Sequence, residues 1–307
     1  MRQLKQGIVI KSTGSHYKVL DAEGLRHDCV IKGKFRVKGI RTTNPVAVGD
    51  NVLFDDAEGI ITALTPRRNY IIRRASNLSK ESQIIAANLD QAFLMVSIKM
   101  PETPVEFIDR FLATAEAYRI PASLIINKSD LHGTAEQTLA EKLRDVYTAI
   151  GYKTYIVSVE KEENLDVIRK ELSGRTTLIA GNSGVGKSSF LNKLNPSLRL
   201  KTGEISEYHE QGKHMTTFPE MHPLPGGGYV IDTPGIRGFG VIDFAREEIY
   251  HFFPEIFRIS SGCRFHNCLH LNEPDCAVRE AVAKNEIEPW RFRSYISMLL
   301  EDSSKYR

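Results

Sequence analysis

The sequence of 307 residues contains no long apolar run, which excludes a protein that crosses a membrane by ordinary helices. No segment approaches the roughly 20 apolar residues that such a helix requires. The first ten residues, MRQLKQGIVI, pass directly from charged residues into a strand-like pattern and lack the layout of a signal peptide. We therefore expect a cytoplasmic protein without a membrane partner.

Cysteine is also scarce, with four residues in the whole chain. Cys29 stands alone in a strand-like segment, where a small core residue is expected. The other three lie close together near the C-terminal end, beside histidines. In a cytoplasmic protein such a cluster indicates a metal site rather than a disulfide.

The chain has little excess charge of either sign, since its net charge is +3. The charge is unevenly placed, however, because the part up to Lys80 has 15 basic and seven acidic residues. That surplus of +8 leaves −5 for the remainder. The asymmetry predicts an anionic partner for the N-terminal part.

The sequence pattern changes along the chain and indicates at least two domains. Up to about Thr65, five short strand-like segments separated by turn residues predict a small all-β barrel. From Asp90, apolar strands alternate with amphipathic helices, which predicts a doubly wound parallel sheet. After Asp232 the pattern becomes mixed and then helical.

A segment reading GNSGVGKS matches the phosphate-binding pattern G-x-x-x-x-G-K-S and lies between a predicted strand and a predicted helix. Glycines let backbone N–H groups approach phosphates, and the helix N-terminus favours their charge. Lys187 is expected to contact the β- and γ-phosphates, and the Ser188 hydroxyl to bind Mg²⁺. The alternative is a flexible loop that fits the pattern by chance. The segment and its successor comprise Gly181, Asn182, Ser183, Gly184, Val185, Gly186, Lys187, Ser188 and Ser189.

Two further motifs are typical of nucleotide sites. A predicted strand ends in Asp232-Thr233-Pro234-Gly235, where the aspartate is expected to hold Mg²⁺ through water and the Gly235 N–H to contact the γ-phosphate. Taken alone, this sequence is also a good turn.

The second motif, Asn127-Lys128-Ser129-Asp130, follows another strand and predicts a guanine site. The Asp130 carboxylate can accept from both N1–H and the N2 amino group, a pair of donors that adenine lacks. Asn127 is expected to tie this loop to the phosphate loop, and the Lys128 stem to cover the base. Ser158, at the end of the next strand, would complete the pocket through its backbone. A polar turn is the alternative.

The order of these motifs is rotated relative to a Ras-like GTPase, in which the phosphate loop comes first. Cutting such a fold after its Asp-x-x-Gly strand and joining the old termini gives the observed order. Because domain termini often lie close together, the rotation can preserve the fold. All the loops would still meet at the carboxyl edge of one sheet.

Together, NKSD, GNSGVGKSSFLN, GKHMTT, DTPG and the Cys/His cluster resemble the circularly permuted GTPase family RsgA, also called YjeQ or EngC. The resemblance covers nearly the whole chain. It implies an RNA-binding OB-fold over 1–68, a permuted P-loop GTPase over 69–240 and a mostly helical zinc-binding domain over 241–307. Residues 69–89 would form a polar, basic linker. It also implies action in late maturation of the small ribosomal subunit, contact with its rRNA and stimulation by it.

The family pattern places one structural zinc ion on Cys263, Cys268, His270 and Cys276, a C-x₄-C-x-H-x₅-C arrangement. Three thiolates and one imidazole suit a closed tetrahedral site. On sequence grounds His266 competes as a ligand, and only the family pattern sets it aside.

Catalysis is expected to be slow without a partner. A Ras-like enzyme has a water-orienting glutamine directly after Asp-x-x-Gly, whereas this chain has Ile236. In the switch-like segment GKHMTT, Thr216 is assigned to Mg²⁺, with Thr217 as the alternative. His214 is the candidate for orienting water, and an exposed loop histidine is its other interpretation.

The barrel offers a candidate RNA-binding face. Basic residues alternate with Gly33, Phe35 and Val37, so one side of this strand would be basic. Such a face can follow a phosphate backbone, although lysines that guard a sheet edge give the same pattern. The four residues are Lys32, Lys34, Arg36 and Lys38.

Three functions follow from these patterns. The first is a monomeric ribosome-assembly GTPase that uses GTP or GDP, Mg²⁺ and Zn²⁺. The second is a P-loop kinase of a small molecule, which the NKSD motif opposes. The third is a nucleic-acid-binding protein with a vestigial site, which the intact Lys187, Ser188 and Asp232 oppose.

Overall fold

The computed structural model describes five stretches of the chain, residues 4–31, 45–74, 82–202, 218–233 and 244–301. Within these stretches, the helices are all too short or too polar to cross a bilayer. A small barrel comes first along the chain, then a large sheet with flanking helices, and finally a compact helical unit. The domain boundaries at residues 68 and 240 stay predictions.

Five strands at the N-terminal end close into a barrel. They are β1 (Leu4–Ser12), β2 (His16–Asp21), β3 (Arg26–Ile31), β4 (Asn51–Asp55) and β5 (Ile60–Leu64). They pair in the order β1-β2-β3-β5-β4, and β4 also pairs with β1, which completes the ring. The predicted small all-β barrel is confirmed, whereas its assignment to the OB-fold stays a prediction.

The inner face of the barrel follows from the period of two along each strand. In β2, Tyr17 and Val19 are buried while Lys18 between them is exposed, because successive side chains point to opposite faces. Cys29 belongs to the same core, as predicted, and is 2% exposed. Lys32, Lys34, Arg36 and Lys38, the predicted RNA-binding residues, lie outside the described residues.

The stretch 69–89, predicted as a polar linker, contains a β-hairpin. Strands β6 (Tyr70–Arg74) and β7 (Ser82–Ala87) pair antiparallel in a separate two-stranded sheet. Although the stretch is polar in composition, it contains two pairs of apolar residues that are buried, Ile71 with Ile72 and Ile84 with Ile85. The prediction of an unstructured linker is therefore wrong, because this stretch contains paired strands with buried side chains.

A sheet of six strands forms the centre of the molecule. The pairing order is β10-β9-β8-β11-β13-β12, and every pair is parallel except β12 with β13. The strands are β8 (Gln91–Ser97), β9 (Ala122–Asn127), β10 (Lys153–Ile156), β11 (Thr176–Ala180), β12 (Glu220–Pro223) and β13 (Tyr229–Asp232). The helices that accompany them are α1 (Val105–Ala117), α2 (Thr134–Ile150), α3 (Leu165–Leu172) and α4 (Lys187–Leu194).

Strand β8 is buried along its whole length because helices cover both faces of the sheet. Leu94 and Val96 belong to one core together with residues of α1 and α2. Phe93 and Met95, at the alternate positions, belong to a second core together with residues of α3 and α4. The continuous apolar run is thus explained, and the predicted doubly wound sheet is confirmed.

The barrel and the central sheet share one set of paired strands. Strand β12 pairs with β13 on one side and with the end of β1 on the other, where Lys11 is opposite Glu220. The Lys11 ammonium donates to the Glu220 carboxylate at 2.7 Å. Ile10, next to Lys11, is 4% exposed and packs in the core of the central sheet.

The C-terminal helices form a compact unit with its own core. A 3₁₀-helix (Arg246–Phe252) precedes α5 (Pro254–Ser260), α6 (Ala277–Ala283) and α7 (Pro289–Leu300). The apolar side chains of this unit, including Phe253, Ile256, Val278 and Tyr295, are buried together. A mostly helical C-terminal part is what the sequence predicts.

A buried ionic cluster joins this unit to α1. The Arg291 guanidinium on α7 is fully buried and donates to Glu255 on α5 at 2.7 and 3.1 Å. It also donates to Asp109 on α1 at 2.8 Å, and Tyr147 donates to the same Asp109 oxygen at 2.7 Å. Since buried charges are stable only when paired, these contacts fix how the C-terminal unit lies on the central sheet.

Candidate nucleotide and metal sites

The loops that carry the sequence motifs meet at one edge of the central sheet. Gly181 follows the last residue of β11, Asp232 ends β13, Asn127 ends β9, and Ser158 lies two residues beyond β10. Because these strands are parallel, their carboxyl ends lie at the same edge. This edge is where open α/β sheets bind ligands.

The phosphate loop packs so tightly that two of its glycines have no room for a side chain. A Cβ on Gly181, which has φ +150°, would lie 2.3 Å from the Met95 carbonyl oxygen. A Cβ on Gly186, with φ +101°, would lie 2.5 Å from Nδ2 of Asn127. The glycines of the motif are therefore required by packing as well as by the approach of phosphate to the backbone.

Helix α4 begins at Lys187, so the amides of its first turn, which includes Ser188 and Ser189, point out of the helix N-terminus. The Lys187 ammonium donates to the carbonyl oxygens of Gly181 and Asn182 at 2.7 and 2.8 Å. Burial lowers its pKa, and the nearby Asp232 carboxylate opposes that shift. The ammonium group is thus held over the loop. A bound anion would replace the two carbonyl oxygens as its hydrogen-bond acceptors.

The environment of the Asp232 carboxylate suits the role of a magnesium ligand. Its Oδ1 is buried and has no hydrogen-bond partner among the described residues. Burial raises the pKa of this carboxyl, while the positive charge of Lys187 lowers it. A buried carboxylate oxygen without a donor suits a hydrated cation, and the Ser188 hydroxyl on α4 is the second ligand that the motif predicts.

The base loop is tied to the phosphate loop, as the sequence predicts. Asn127 donates through Nδ2 to the Val185 carbonyl at 2.8 Å and accepts from the Val159 amide at 3.1 Å. This one side chain therefore fixes three loops relative to one another. The Lys128 ammonium donates to the Met100 carbonyl, and burial lowers the pKa of that ammonium.

The Ser158 hydroxyl contacts the base loop, and the predicted role of its backbone stays a prediction. Its Oγ donates to Oδ1 of Asp130 at 2.6 Å, while its N–H and C=O both pair with Glu163. The Lys161 amide donates to the same hydroxyl at 3.1 Å, which directs the Ser158 proton toward Asp130. Asp130 is thereby oriented, and its carboxylate keeps Oδ2 for a base.

Four ligand atoms of the C-terminal unit lie together as a metal site would require. Those of Cys263, Cys268, His270 and Cys276 all lie within 4.8 Å of one another. Nδ1 of His270 is 3.6 Å from Sγ of Cys263 and 3.4 Å from Sγ of Cys276. The cluster selects these four residues and leaves out His266. Three sulfurs and one imidazole nitrogen are the donors of a structural zinc site.

Burial raises the pKa of Cys268 to about 12 and also raises that of Cys276. Without a cation these thiols would therefore stay protonated at neutral pH. A zinc ion binds thiolates, so its binding must release their protons. The donor set fits Zn²⁺, and the fit is the reason for expecting one ion in this cluster.

Several predicted site residues lie outside the described residues, and their roles stay predictions. They are His214, Thr216, Thr217, Gly235 and Ile236.

The structure shows two residues at the site that the sequence did not predict. The Thr233 hydroxyl donates to the Ile179 carbonyl at 2.8 Å and holds the end of β13 against β11. Glu220 lies opposite Asp232 in the sheet, and its negative charge helps to raise the pKa of the buried Asp232 carboxyl. The Asp-Thr-Pro-Gly motif points to the first, whereas no local signal points to the second.

Comparisons with known proteins agree with this arrangement. The family described as RsgA GTPase matches residues 64–242, and the RsgA N-terminal domain matches residues 6–61. A relative from Bacteroides fragilis, named Small ribosomal subunit biogenesis GTPase RsgA, is 53% identical over 98% of this chain and 99% of its own length. One of the same name from Christiangramia forsetii is 47% identical over 98% of each chain.

Two solved structures are similar along nearly the whole chain. YjeQ from Thermotoga maritima has 32% identity and a TM-score of 0.77, and the match covers 97% of this chain and 98% of that one. YloQ, described as a circularly permuted GTPase, has 31% identity and a TM-score of 0.73, covering 99% and 96%. The rotated loop order and these matches lead to one conclusion. The chain belongs to the RsgA GTPase family, and it is a GTP hydrolase built on a circularly permuted sheet.

Proposed function

We propose that this protein binds the small ribosomal subunit, hydrolyses GTP under its stimulation and acts in the late maturation of that subunit. The observation that carries the proposal is the similarity, along almost the entire chain, to relatives named for small ribosomal subunit biogenesis. The nucleotide loops described above support it, since their side chains already contact one another. The protein acts as a monomer in the cytoplasm, where its partner is assembled.

In this proposal, the Asp130 carboxylate selects guanine, and the Ser158 hydroxyl orients that carboxylate. Asn127 holds the base loop at a fixed distance from the phosphate loop. The amides of Gly184 and of the first turn of α4 bind phosphate oxygens, and Lys187 exchanges its carbonyl partners for the β- and γ-phosphates. Binding thus uses groups that the fold has already positioned.

Hydrolysis transfers the γ-phosphoryl group to water and gives GDP and phosphate. Mg²⁺, when bound, would supply positive charge that stabilises the negative charge of the transferring phosphoryl group. Ser188, Asp232 through water and Thr216, or alternatively Thr217, would hold it. The Gly235 N–H contacts the γ-phosphate, and His214 orients the water when the ribosomal subunit is bound. Ile236 cannot orient water, so turnover without the subunit is slow.

Two further parts of the chain are assigned within the proposal. One Zn²⁺ ion, bound by the cluster of three cysteines and His270, is structural and holds the loop that precedes α6. The basic residues Lys32, Lys34, Arg36 and Lys38 contact rRNA through its phosphates.

The test is GTP turnover measured with and without purified small ribosomal subunits. We expect slow turnover alone and a rise of at least tenfold with subunits. His214→Ala should abolish most of the rise while leaving GTP affinity unchanged, and His266→Ala, in the C-terminal unit, is the matched control. Unchanged turnover on adding subunits would refute the proposal. Hydrolysis of ATP as fast as GTP would instead favour a kinase-like P-loop enzyme.

A further inference from the structure

An open cleft lies where the hairpin, the central sheet and the C-terminal unit meet. It has a volume of about 670 Å³, within the usual range of ligand sites. It is separate from the nucleotide edge and from the cysteine cluster. Its lining includes Arg68, Tyr70, Asp90, Tyr118, Arg119 and Phe244.

Three aromatic rings form one wall of this cleft. The Tyr70 and Tyr118 centroids are 5.8 Å apart, and those of Tyr118 and Phe244 are 5.9 Å apart. Each ring is half-buried, because Tyr70 and Tyr118 pack on the small core behind the hairpin and Phe244 packs on the core of the C-terminal unit. The rings are therefore anchored on one side and face the cleft on the other.

Two arginines provide positive charge at the cleft. The Arg68 side chain is 60% exposed and is held by Asp90 at 2.7 Å and by the Asn88 carbonyl at 3.1 Å. Both contacts use Nη2, so Nε and Nη1 remain available among the described groups. Asp90 is paired with Arg68 among the described residues, and its other oxygen accepts from the Thr176 amide at 2.7 Å.

Arg119 has an unusual backbone position. It follows the C-terminal end of α1 with φ 55°, and the Ile120 amide donates back to Ala115 at 2.9 Å. This is the left-handed position at which helices usually end with glycine, and arginine is strained there. Its side chain is exposed and has no ion-pair partner in the described part of the chain. Arg119 therefore adds to the cleft an exposed charge that has no carboxylate partner among the described residues and that an anionic ligand can use.

We propose that this cleft binds a single-stranded segment of RNA, with bases against the aromatic wall and phosphates on Arg68 and Arg119. Unpaired bases stack on tyrosine and phenylalanine side chains, and arginines neutralise the adjoining backbone. The inference rests on the proposed function and adds a contact that is distinct from the barrel face. Because its residues come from the hairpin, α1 and the start of the C-terminal unit, the RNA would bridge all three.

Two variants of the full-length protein test the cleft. Arg119→Gly removes the charge and suits the left-handed backbone, so the variant should fold at least as well as the original protein. Tyr70→Leu keeps an apolar side chain and removes the ring. Arg144→Ala is the matched control, since it removes an exposed charge from α2, away from the cleft.

The measurement is fluorescence anisotropy with a labelled oligouridylate of about ten nucleotides that contains one 2-aminopurine. Arg119→Gly and Tyr70→Leu should each weaken binding roughly tenfold. Arg119→Gly should also reduce the slope of log K against log salt concentration by about 0.7, as for one lost phosphate contact. Tyr70→Leu should reduce the quenching of 2-aminopurine. Arg144→Ala should bind as the original protein does.

Equal affinity of all four proteins for the oligonucleotide would overturn the proposal. So would an equal loss of affinity for a duplex RNA, because stacked bases cannot reach the rings. Photocrosslinking with 4-thiouridine should mark peptides that contain Tyr118 or Phe244, and marks found only elsewhere would show that the oligonucleotide binds another surface and would overturn the proposal.

Failure here can be told apart from failure of the proposed function. If subunits stimulate turnover in both cleft variants as in the original protein and the oligonucleotide binds all of them equally, the cleft assignment fails and the proposed function stands. If the variants lose oligonucleotide binding while subunits never stimulate turnover, the cleft assignment stands and the proposed function fails.

Discussion

Replacement of Arg291 by methionine should strongly destabilise the contact between the C-terminal unit and the central sheet. Arg291 is fully buried, and its guanidinium is paired with both Glu255 and Asp109. Methionine fills much of the same volume but carries no charge. The variant would therefore keep the packing and leave two carboxylates without their cation.

The size of the effect follows from the contacts that each carboxylate loses. Glu255 loses both hydrogen bonds from Arg291, whereas Asp109 keeps only the one from Tyr147. Removing one partner of a buried ion pair costs about 3–5 kcal/mol, because the other charge is left uncompensated. We expect a loss in this range. Adding Glu255→Gln to Arg291→Met should recover part of it, since one orphan charge disappears.

Urea unfolding, followed by the fluorescence of Trp290 beside the site, is the assay. Arg293→Met, two residues along the same helix but exposed, is the control and should change the free energy of unfolding by less than about 0.5 kcal/mol. A loss below about 1 kcal/mol would refute the assigned role of the cluster.

Three further outcomes are expected. Asp130→Asn should shift nucleotide preference from GTP to XTP by at least tenfold in a competition assay, because xanthine has an acceptor where guanine has its N2 donor; unchanged preference would exclude Asp130 from base reading. Metal analysis of the purified protein should find one zinc ion, which Cys276→Ser should remove and His266→Ala should retain, and the reverse result would reassign the ligand. Gly181→Ala should abolish GTP binding in equilibrium titration, since its Cβ would meet the Met95 carbonyl at 2.3 Å; near-normal affinity would contradict the tight packing of the loop.

Features encoded by neighbouring residues could be predicted from the sequence. The strands of the barrel follow from alternation, as at Tyr17 and Val19. The phosphate loop and the base loop follow from short motifs between a strand and a helix. Even the contact of Asn127 with the phosphate loop was predictable, because both motifs had to lie at the carboxyl edge of one sheet.

Features that depend on distant parts of the chain could not be predicted. Strand β12 has only four residues, one of them Pro223, and it is ordered by pairing with β1 and β13 rather than by its own pattern. The hairpin at 69–89 was hidden by polar composition. The pairing of Arg291 with Asp109 joins residues 182 positions apart, and neither residue type suggests burial.

The strand shared by barrel and central sheet also sets an order for folding during synthesis. Lys11 and Glu220 are 209 positions apart, so their pairing must wait until Glu220 has been made. At translation rates of 5–20 residues per second, that interval is roughly 10–40 s. The barrel closes through its own strands and can form early. Its docking onto the sheet must follow synthesis of the phosphate loop, and the nascent chain therefore carries a finished barrel before it can bind nucleotide.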